Sequence, residues 1–479
     1  MGGKTPISSV PLSGTNSTNP KQPNPSDDPH RYTGGRWLHR DEVQRTSREV
    51  DFDFSALCDR VISLSPGATN VIKYEKREGG FNRVFILTMD TGSCVVARIP
   101  MPIAGPPRLT TNSEVATMTY LQSKLSLPIP KVLDWDDNPS NPTGTEYIIQ
   151  EHVVGVQLHE IWPKMDSPRH MMCTKALSMA IKKMGSLDFP AYGSLYFSDA
   201  PIDSHLKIPL ERDFCIGPHC GPVFWNRSPG EPQLYGGPSP NCGPYTGFSR
   251  LPKAEDVIHH KLLPHQGSIQ EHIHLIQSSQ EVMHKLVEDQ RTQDAAKPTL
   301  LHPDFHKRNI YVSAEDPTHI TGLIDWQSTS IEPAFLYTNE TPDFAVLPEE
   351  PEEDTFQDEA AEQQQQDPSQ KQRELKDASI CAQTYDGCRA RAHSLTDKEL
   401  EAHGRDYEDF ETFQRLKRWL RWSLQTNSDG WVPNELWDAA REAHRAAYQE
   451  WIQTARESEA RGEDLTVAKA DKLWPFDAR

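Results

Sequence analysis

Large apolar residues are almost absent from residues 1–30, which are rich in Ser, Asn, Pro and Gly and are expected to be a disordered tail. From about Tyr32 aromatic positions appear (Tyr32, Trp37, Phe52, Phe54), and order is expected to begin. Residues 72–99 read as an antiparallel meander. One run, Phe81 to Met89, meets the turn Asp90-Thr91-Gly92-Ser93, and a second, Cys94 to Ile99, stops at Pro100. Thr111-x-x-Glu114 has the form of a capping box opening a helix to about Lys124. Two further strands are predicted, Lys131–Trp135 and Glu146–Glu151, before a break at Gly155.

Beyond that break the spacing predicts helices near 168–185, near 267–287 and over much of 395–458, where Phe413, Leu416, Trp419 and Leu420 would share one face. Proline punctuates the rest: six of the 39 fall in residues 1–30 and eleven in 201–264, so 200–250 reads as an irregular insertion. No internal repeat is found.

Charge changes this picture at one place. The 50 Lys and Arg against 69 Asp and Glu leave a net −19, and residues 349–362 hold eight carboxylates with no Lys or Arg. Residues 343–377, with twelve acidic and three basic side chains, carry −9 of that balance. The acidity is therefore chiefly a low-complexity insertion, and it argues against a nucleic-acid surface, which needs concentrated Lys and Arg. No stretch approaches the ~18 apolar residues of a membrane span. No secretory signal or mitochondrial presequence is recognised, and the eight cysteines read as reduced thiols.

The chemistry concentrates in 300–326. His302-Pro303-Asp304 stands five residues before Asn309, in the spacing His-x-Asp-x-x-x-x-Asn. Phosphoryl transfer needs a carboxylate to orient and deprotonate a hydroxyl and an amide oxygen on a metal ion. After a turn at Asp316-Pro317, the apolar strand Ile320–Ile324 ends in Asp325, a second hard oxygen ligand of the kind Mg²⁺ prefers. Two short strands joined by a turn would set Asn309 beside Asp325. A different chemistry is open to the same residues. His302, Asp304 and His306 alternate and could face one Zn²⁺ in a metallohydrolase, although no further motif completes that site.

With these residues the chain resembles the aminoglycoside phosphotransferase and choline kinase-like family. More narrowly it is similar to the fungal altered-inheritance-of-mitochondria protein 9 group, through Gly79-Gly80-Phe81-Asn82, Ala97-Arg98-Ile99-Pro100 and Ile324-Asp325-Trp326-Gln327-Ser328. The resemblance implies an α+β, bilobal protein kinase-like fold. The expected divisions are a tail 1–30, an N-lobe 31–152, a C-lobe 153–340 with a Pro/Gly-rich insertion, an acidic insertion 341–394, and C-lobe helices 395–479. It implies ATP and Mg²⁺ as cofactors, with Asp304 as catalytic base and Asn309 and Asp325 as metal ligands. Gly79, Gly80 and Asn82 would lie over the phosphates, and Arg98 and Glu114 would pair to position the nucleotide. The partner would be a small-molecule or protein hydroxyl acceptor, and the setting a mitochondrion, with the cytoplasm as alternative.

Arg98 stands where most kinase-like enzymes have lysine, and a planar guanidinium is no neutral replacement. It motivates a second reading, a pseudokinase that binds nucleotide or serves as scaffold with little catalysis. Other motifs lead nowhere. Gly3-Lys4-Thr5 lacks the rest of a P-loop, Cys215, His219, Cys220 and Cys242 lack a second Cys-x-x-Cys, and no Gly-x-Ser-x-Gly elbow occurs.

Overall fold

The structure, a computed structural model, describes residues 28–221, 224–227, 232–234, 269–337, 342–345, 416–417, 419–421, 423–424, 426, 430–462 and 465–476. The acidic insertion (apart from 342–345), most of the Pro/Gly-rich insertion, Phe413 and residues 1–27 lie outside the described residues. The chain starts with a strap over the N-lobe. The tail expected to run to residue 30 ends sooner, because Lys76 Nζ donates to the Asp28 carbonyl at 2.7 Å and Arg83 Nη1 to the His30 carbonyl at 2.6 Å. Strand β1 (Gly35–Trp37) and helix α1 (Asp41–Thr46) follow, then α2 (Phe54–Leu64), whose first turn is capped by Asp53 through the Ala56 N–H at 2.9 Å.

The N-lobe sheet comprises β2 (Val71–Glu78), β3 (Asn82–Met89), β4 (Cys94–Pro100), β5 (Val132–Asp136) and β6 (Tyr147–Glu151), all antiparallel in the order β2-β3-β4-β6-β5. Strand alternation gives it two faces. Phe85, Leu87, Val95, Ala97, Ile99 and Ile149 pack on Phe52, Leu57 and Val61. Val84, Ile86, Val96, Arg98 and Gln150 point the other way, toward a cavity. Both faces are covered, which is why β3 reads as a nearly continuous apolar run.

Helix α3 (Leu109–Lys124) corrects the capping-box expectation. It begins two residues before Thr111, and Thr111 and Glu114 are buried inside it. The carboxylate at its start comes from elsewhere in the chain: Glu146 accepts from the Arg108 N–H and from the Thr111 hydroxyl, each at 2.7 Å. Glu114 is thereby released for another partner.

The crossover to the C-lobe passes Gly155, at φ 137°, where a side chain would collide with the Val312 carbonyl. Strand β7 (Val156–Gln157) then pairs with the hairpin β14 (Ile310–Val312)–β15 (Ile320–Leu323), so the entry to the second lobe is stitched to the loop that carries Asp304 and Asn309. Between them run α4 (Leu158–Ile161), α5 (Ser167–Gly185), the small sheet β8 (Ser194–Phe197), β9 (Ile208–Pro209) and β10 (Phe214–Gly217), helix α6 (Ile269–Glu288), and β13 (Pro298–Leu300), which pairs with β16 (Ile331–Pro333). β11 (Trp225–Arg227) and β12 (Pro232–Leu234) form a separate ribbon. One apolar core joins Leu121 of α3, Leu177 of α5, Leu195, Leu300, Ile310, Leu323 and Trp326. A β-rich lobe, a larger helical lobe and a loop-bearing hairpin between them make this an α+β, bilobal protein kinase-like fold.

The C-terminal helices, expected to complete the C-lobe, are anchored on the N-terminal strap. β17 (Trp431–Pro433) pairs with β1, Leu38 N–H donates to the Gly430 carbonyl at 2.9 Å, and Trp431 Nε1 reaches the Tyr32 hydroxyl at 3.1 Å. Leu38 packs in one cluster with Leu416, Leu420, Leu424, Trp437 of helix α7 (Trp437–Ala460), Trp474 and Phe476. Trp419, expected on that apolar face, is instead 44% exposed, because 416, 420 and 424 repeat at helical spacing without it.

The loop before β14 is locked by His302. Its Nε2–H donates to the Ile324 carbonyl at 2.8 Å, and its Nδ1 accepts the Asp304 N–H at 3.1 Å. That pairing requires the neutral ring, and burial pushes the pKa down from 6.5 to about 4. Between those values the unfolded chain binds a proton that the folded chain does not, so stability is present above pH 6.5 and falls as pH drops toward 4. Up to roughly 3 kcal/mol is at stake. Chemical denaturation at pH 7 and pH 4.5 is expected to reveal this loss, and His302→Gln should lack that component. Leu38→Ala should cost about 2–5 kcal/mol in the same assay, as for other fully buried leucines. A cost near zero would mean the C-terminal cap does not depend on that cluster.

Candidate functional site

A cavity of about 230 Å³ lies between the N-lobe sheet and the β14–β15 hairpin; β6 and the crossover after it help to line it, and three other stretches of chain bring the candidate residues to it. A larger open depression, about 590 Å³, near His30, Asp51 and Thr143 contains none of the candidate site residues.

The first stretch is the β2–β3 turn. Gly79 N–H donates to the Asn82 carbonyl at 3.0 Å and closes it. A Cβ at Gly80 would meet nothing, and one at Gly79 would only graze the Asn82 carbonyl. The glycines are therefore not demanded by backbone strain; they leave bare backbone beside the cavity, open to close approach. The base of the turn is rigid, since the buried Glu78 carboxylate accepts from the Thr33 N–H at 2.7 Å and from Arg83 Nε at 3.2 Å.

The second stretch is β4 with α3. Arg98 Nη1 donates to Glu114 Oε1, and Arg98 Nη2 to Asp325 Oδ1 at 3.0 Å. The guanidinium and Glu114 are buried, while the Asp325 side chain is 44% exposed toward the cavity. Burial opposes the charge on Arg98, but the two carboxylates more than offset it and hold the guanidinium protonated. Burial raises the proton affinity of Glu114, and Arg98 opposes that rise.

The third stretch is the loop from 302 to 309 with the turn after β15. Asn309 Nδ2 donates to the Asp304 backbone carbonyl and to Asp304 Oδ2, both at 2.9 Å, which leaves the Asn309 amide oxygen unspent. Ile324 N–H donates to the Asn309 carbonyl at 3.0 Å, so Asn309, just before β14, and Asp325, just after β15, stand beside the same cavity. Asp325 has φ 68°, a left-handed conformation that Asp tolerates better than most residues. It is fixed by the next residue, Trp326, fully buried with Nε1 on the Leu323 carbonyl at 3.0 Å.

The structure thus brings Gly79, Gly80, Asn82, Arg98, Asn309 and Asp325 to one cavity, with Glu114 behind Arg98 and Asp304 beside Asn309. The Zn²⁺ arrangement is not formed. His302 turns into the protein toward Ile324, and among the described residues no group of three His, Cys, Asp or Glu could hold a metal. Cys215 and Cys220 are buried free thiols, and His219 Nε2 is paired with Glu332 Oε1 at 2.9 Å; Cys242 lies outside the described residues. A pair of hard oxygen donors, the Asn309 amide and the Asp325 carboxylate, suits a cation such as Mg²⁺ that completes its shell from phosphates and water.

Several contacts at the site were not anticipated from the sequence. Gln327 Oε1 accepts from Asn82 Nδ2 at 2.7 Å, a bridge from the glycine turn to the Asp325 turn across 245 residues. Its Nε2 is buried with no hydrogen-bond partner among the described residues. His306 Nε2 lies 3.1 Å from Asp304 Oδ1, and its Nδ1 lies 3.7 Å from Asp343. Gln150 was readable as a polar residue at a strand position whose sheet neighbours are apolar. The Gln327 and Asp343 contacts had no local signal.

Residues 238–336, which include Asp304, Asn309 and Asp325, match the sequence profile of the phosphotransferase enzyme family, APH. A subtelomeric hrmA-associated cluster protein of Aspergillus fumigatus is 33% identical over 298 residues, covering 54% of this chain and 58% of that protein. The altered inheritance of mitochondria protein 9, mitochondrial, of Yarrowia lipolytica is 26% identical over 373 residues, covering 67% and 62%. The chain thus spans 58% and 62% of the length of these curated relatives. Among solved structures, the streptomycin–ATP ternary complex of APH(2″)-IIa superposes with a TM-score of 0.33 at 12% identity, over 60% of this chain and 74% of that one. Among the described residues no helix is long and apolar enough to cross a membrane. Over residues 238–336 the chain is thus similar to the phosphotransferase enzyme family, and over a longer span to the altered inheritance of mitochondria protein 9 group.

Proposed function

We propose that this protein transfers a phosphoryl group from ATP, with Mg²⁺, to a hydroxyl acceptor. The observation that carries this reading is the convergence of the glycine turn, the Arg98–Glu114–Asp325 cluster and the Asp304–Asn309 pair on one cavity. The residues fit the nucleotide and its cation. The turn beside the cavity is bare backbone, the buried Nε2 of Gln327 is a donor without a partner among the described residues, and two hard oxygens flank the paired strands β14 and β15. Asn309 and Asp325 would hold Mg²⁺, which when bound neutralises charge on the phosphates.

The protein's own contribution is positioning. Asp304 orients the acceptor hydroxyl and takes its proton, with Asn309 Nδ2 holding one carboxylate oxygen and His306 Nε2 3.1 Å from the other. His302 keeps the backbone of that loop at a fixed distance from the Asp325 turn. Arg98, clamped by Glu114, presents its planar fork to the phosphates. The name of a relative, the mitochondrial protein 9 of Yarrowia lipolytica, supports a mitochondrial setting for this reading.

One observation favours a second reading. Arg98 Nη2 is already paired with Asp325 Oδ1, so a metal must compete with a guanidinium for that carboxylate. A protein that binds nucleotide without turning it over, and serves as a scaffold, would tolerate this arrangement.

A metabolite-panel phosphorylation screen with ATP and Mg²⁺ tests the reading, with Asp304→Asn as its blank. Turnover should fall roughly 10²–10⁴-fold in that variant, the usual contribution of a positioned acid–base group. Equal turnover removes Asp304 from its role. A thermal upshift with ATP and Mg²⁺ but no product on any acceptor selects the scaffold reading, and no metal-dependent nucleotide binding eliminates both. Arg98→Lys frees the fork that holds Asp325, and is expected to tighten Mg²⁺-dependent nucleotide binding if competition for that carboxylate limits it, measured by titration calorimetry.

A further inference from the structure

The cavity wall formed by the N-lobe sheet is apolar where β3 and β4 supply Val84, Ile86 and Val96. β6 breaks the pattern. Gln150, directly opposite Val96 in the β4–β6 ladder, also faces the cavity, and it is only 4% exposed. Its Oε1 is buried without a hydrogen-bond partner, and neither end of the carboxamide is bonded to a described residue. Ile149 beside it points into the opposite, apolar core, so the exception belongs to the cavity face alone. A buried amide with no partner is unfavourable in an empty wall, and a leucine or methionine there would pack without that cost. Such a group acquires a purpose when a ligand completes it.

We propose that Gln150 reads the polar edge of the nucleotide base, and that its unlocked carboxamide lets the site take adenosine and guanosine triphosphates alike. The inference rests on the nucleotide binding proposed above. A primary amide offers an acceptor and a donor side by side. With Oε1 toward the base it accepts from the 6-amino group of adenine. Turned over about its last torsion, it donates from Nε2 to the 6-oxo group of guanine and accepts from the ring N–H beside it. An amide held by a protein hydrogen bond would favour one of these faces. Gln150 is held by none, so turning over breaks nothing.

Titration calorimetry of the full chain with Mg²⁺ and three nucleotides tests this: ATP, GTP, and purine riboside triphosphate, which lacks any 6-substituent. ATP and GTP should bind within about tenfold of each other, and each should bind about tenfold tighter than purine riboside triphosphate, the size of one buried hydrogen bond. In Gln150→Met that advantage should vanish and all three should bind within a few-fold. The variant's unliganded melting temperature, equal to or above that of the parent, establishes that it folds. A difference of more than about a hundredfold between ATP and GTP, or a 6-substituent advantage that survives in Gln150→Met, overturns the inference and leaves nucleotide binding intact. Binding of none of the three by the parent overturns the nucleotide reading, and this inference with it.

Discussion

Arg98 joins three elements at one point: a sheet strand, the helix that follows it, and the turn that carries Asp325. The guanidinium is buried, so its charge must be answered on the spot, and two carboxylates do so from opposite lobes. Removing one member of such a cluster leaves an uncompensated charge at about 3–5 kcal/mol, whereas replacing the whole cluster by apolar groups is often neutral. The ion pairs therefore say little about stability and much about register. They fix where α3 sits along the sheet, and they set the sheet at one distance from the hairpin.

The hairpin is held by a different kind of contact. Trp326 fills the core behind Asp325, His302 packs against its ring with centroids 4.4 Å apart, and the same imidazole bridges two backbone groups of the loop and the turn. An aspartate in the left-handed region carries a strain of roughly 1–3 kcal/mol, kept only where its surroundings over-determine it. Here a fully buried indole on one side and the Arg98 ion pair on the other do so. The polar site is thus a thin layer between an apolar wedge and an apolar wall.

Much of this was legible in local pattern. The alternation of β3 and β4, the Asp304-to-Asn309 spacing and the strand ending at Asp325 are all short-range signals. What was not legible was set by partners far away in the chain. Thr111 and Glu114 imitate a capping box, yet Glu146 supplies the carboxylate at the start of α3 and Glu114 goes to Arg98. α3 has no apolar stripe because it is buried on nearly every side, with Thr110, Asn112 and Thr117 among its covered residues, so periodicity could not describe it. Trp419 was misjudged because four apolar residues in eight positions are more than one helix face needs. The bridge from Asn82 to Gln327 spans 245 residues and leaves no mark at either position.

The pairing of β1 with β17 bears on how the chain is assembled as it is made. Tyr32 and Trp431 touch across 399 residues, so β1 of the strap lacks its strand partner until that much further chain has emerged. At about 5–20 residues per second, this is a wait of roughly 20–80 s, during which Trp37 and Leu38 lack the apolar cover they have at the end. The strap also carries Thr33, whose N–H is bonded to Glu78 at the base of the glycine turn. A segment synthesised long after the strap therefore completes the support beneath the first loop of the site.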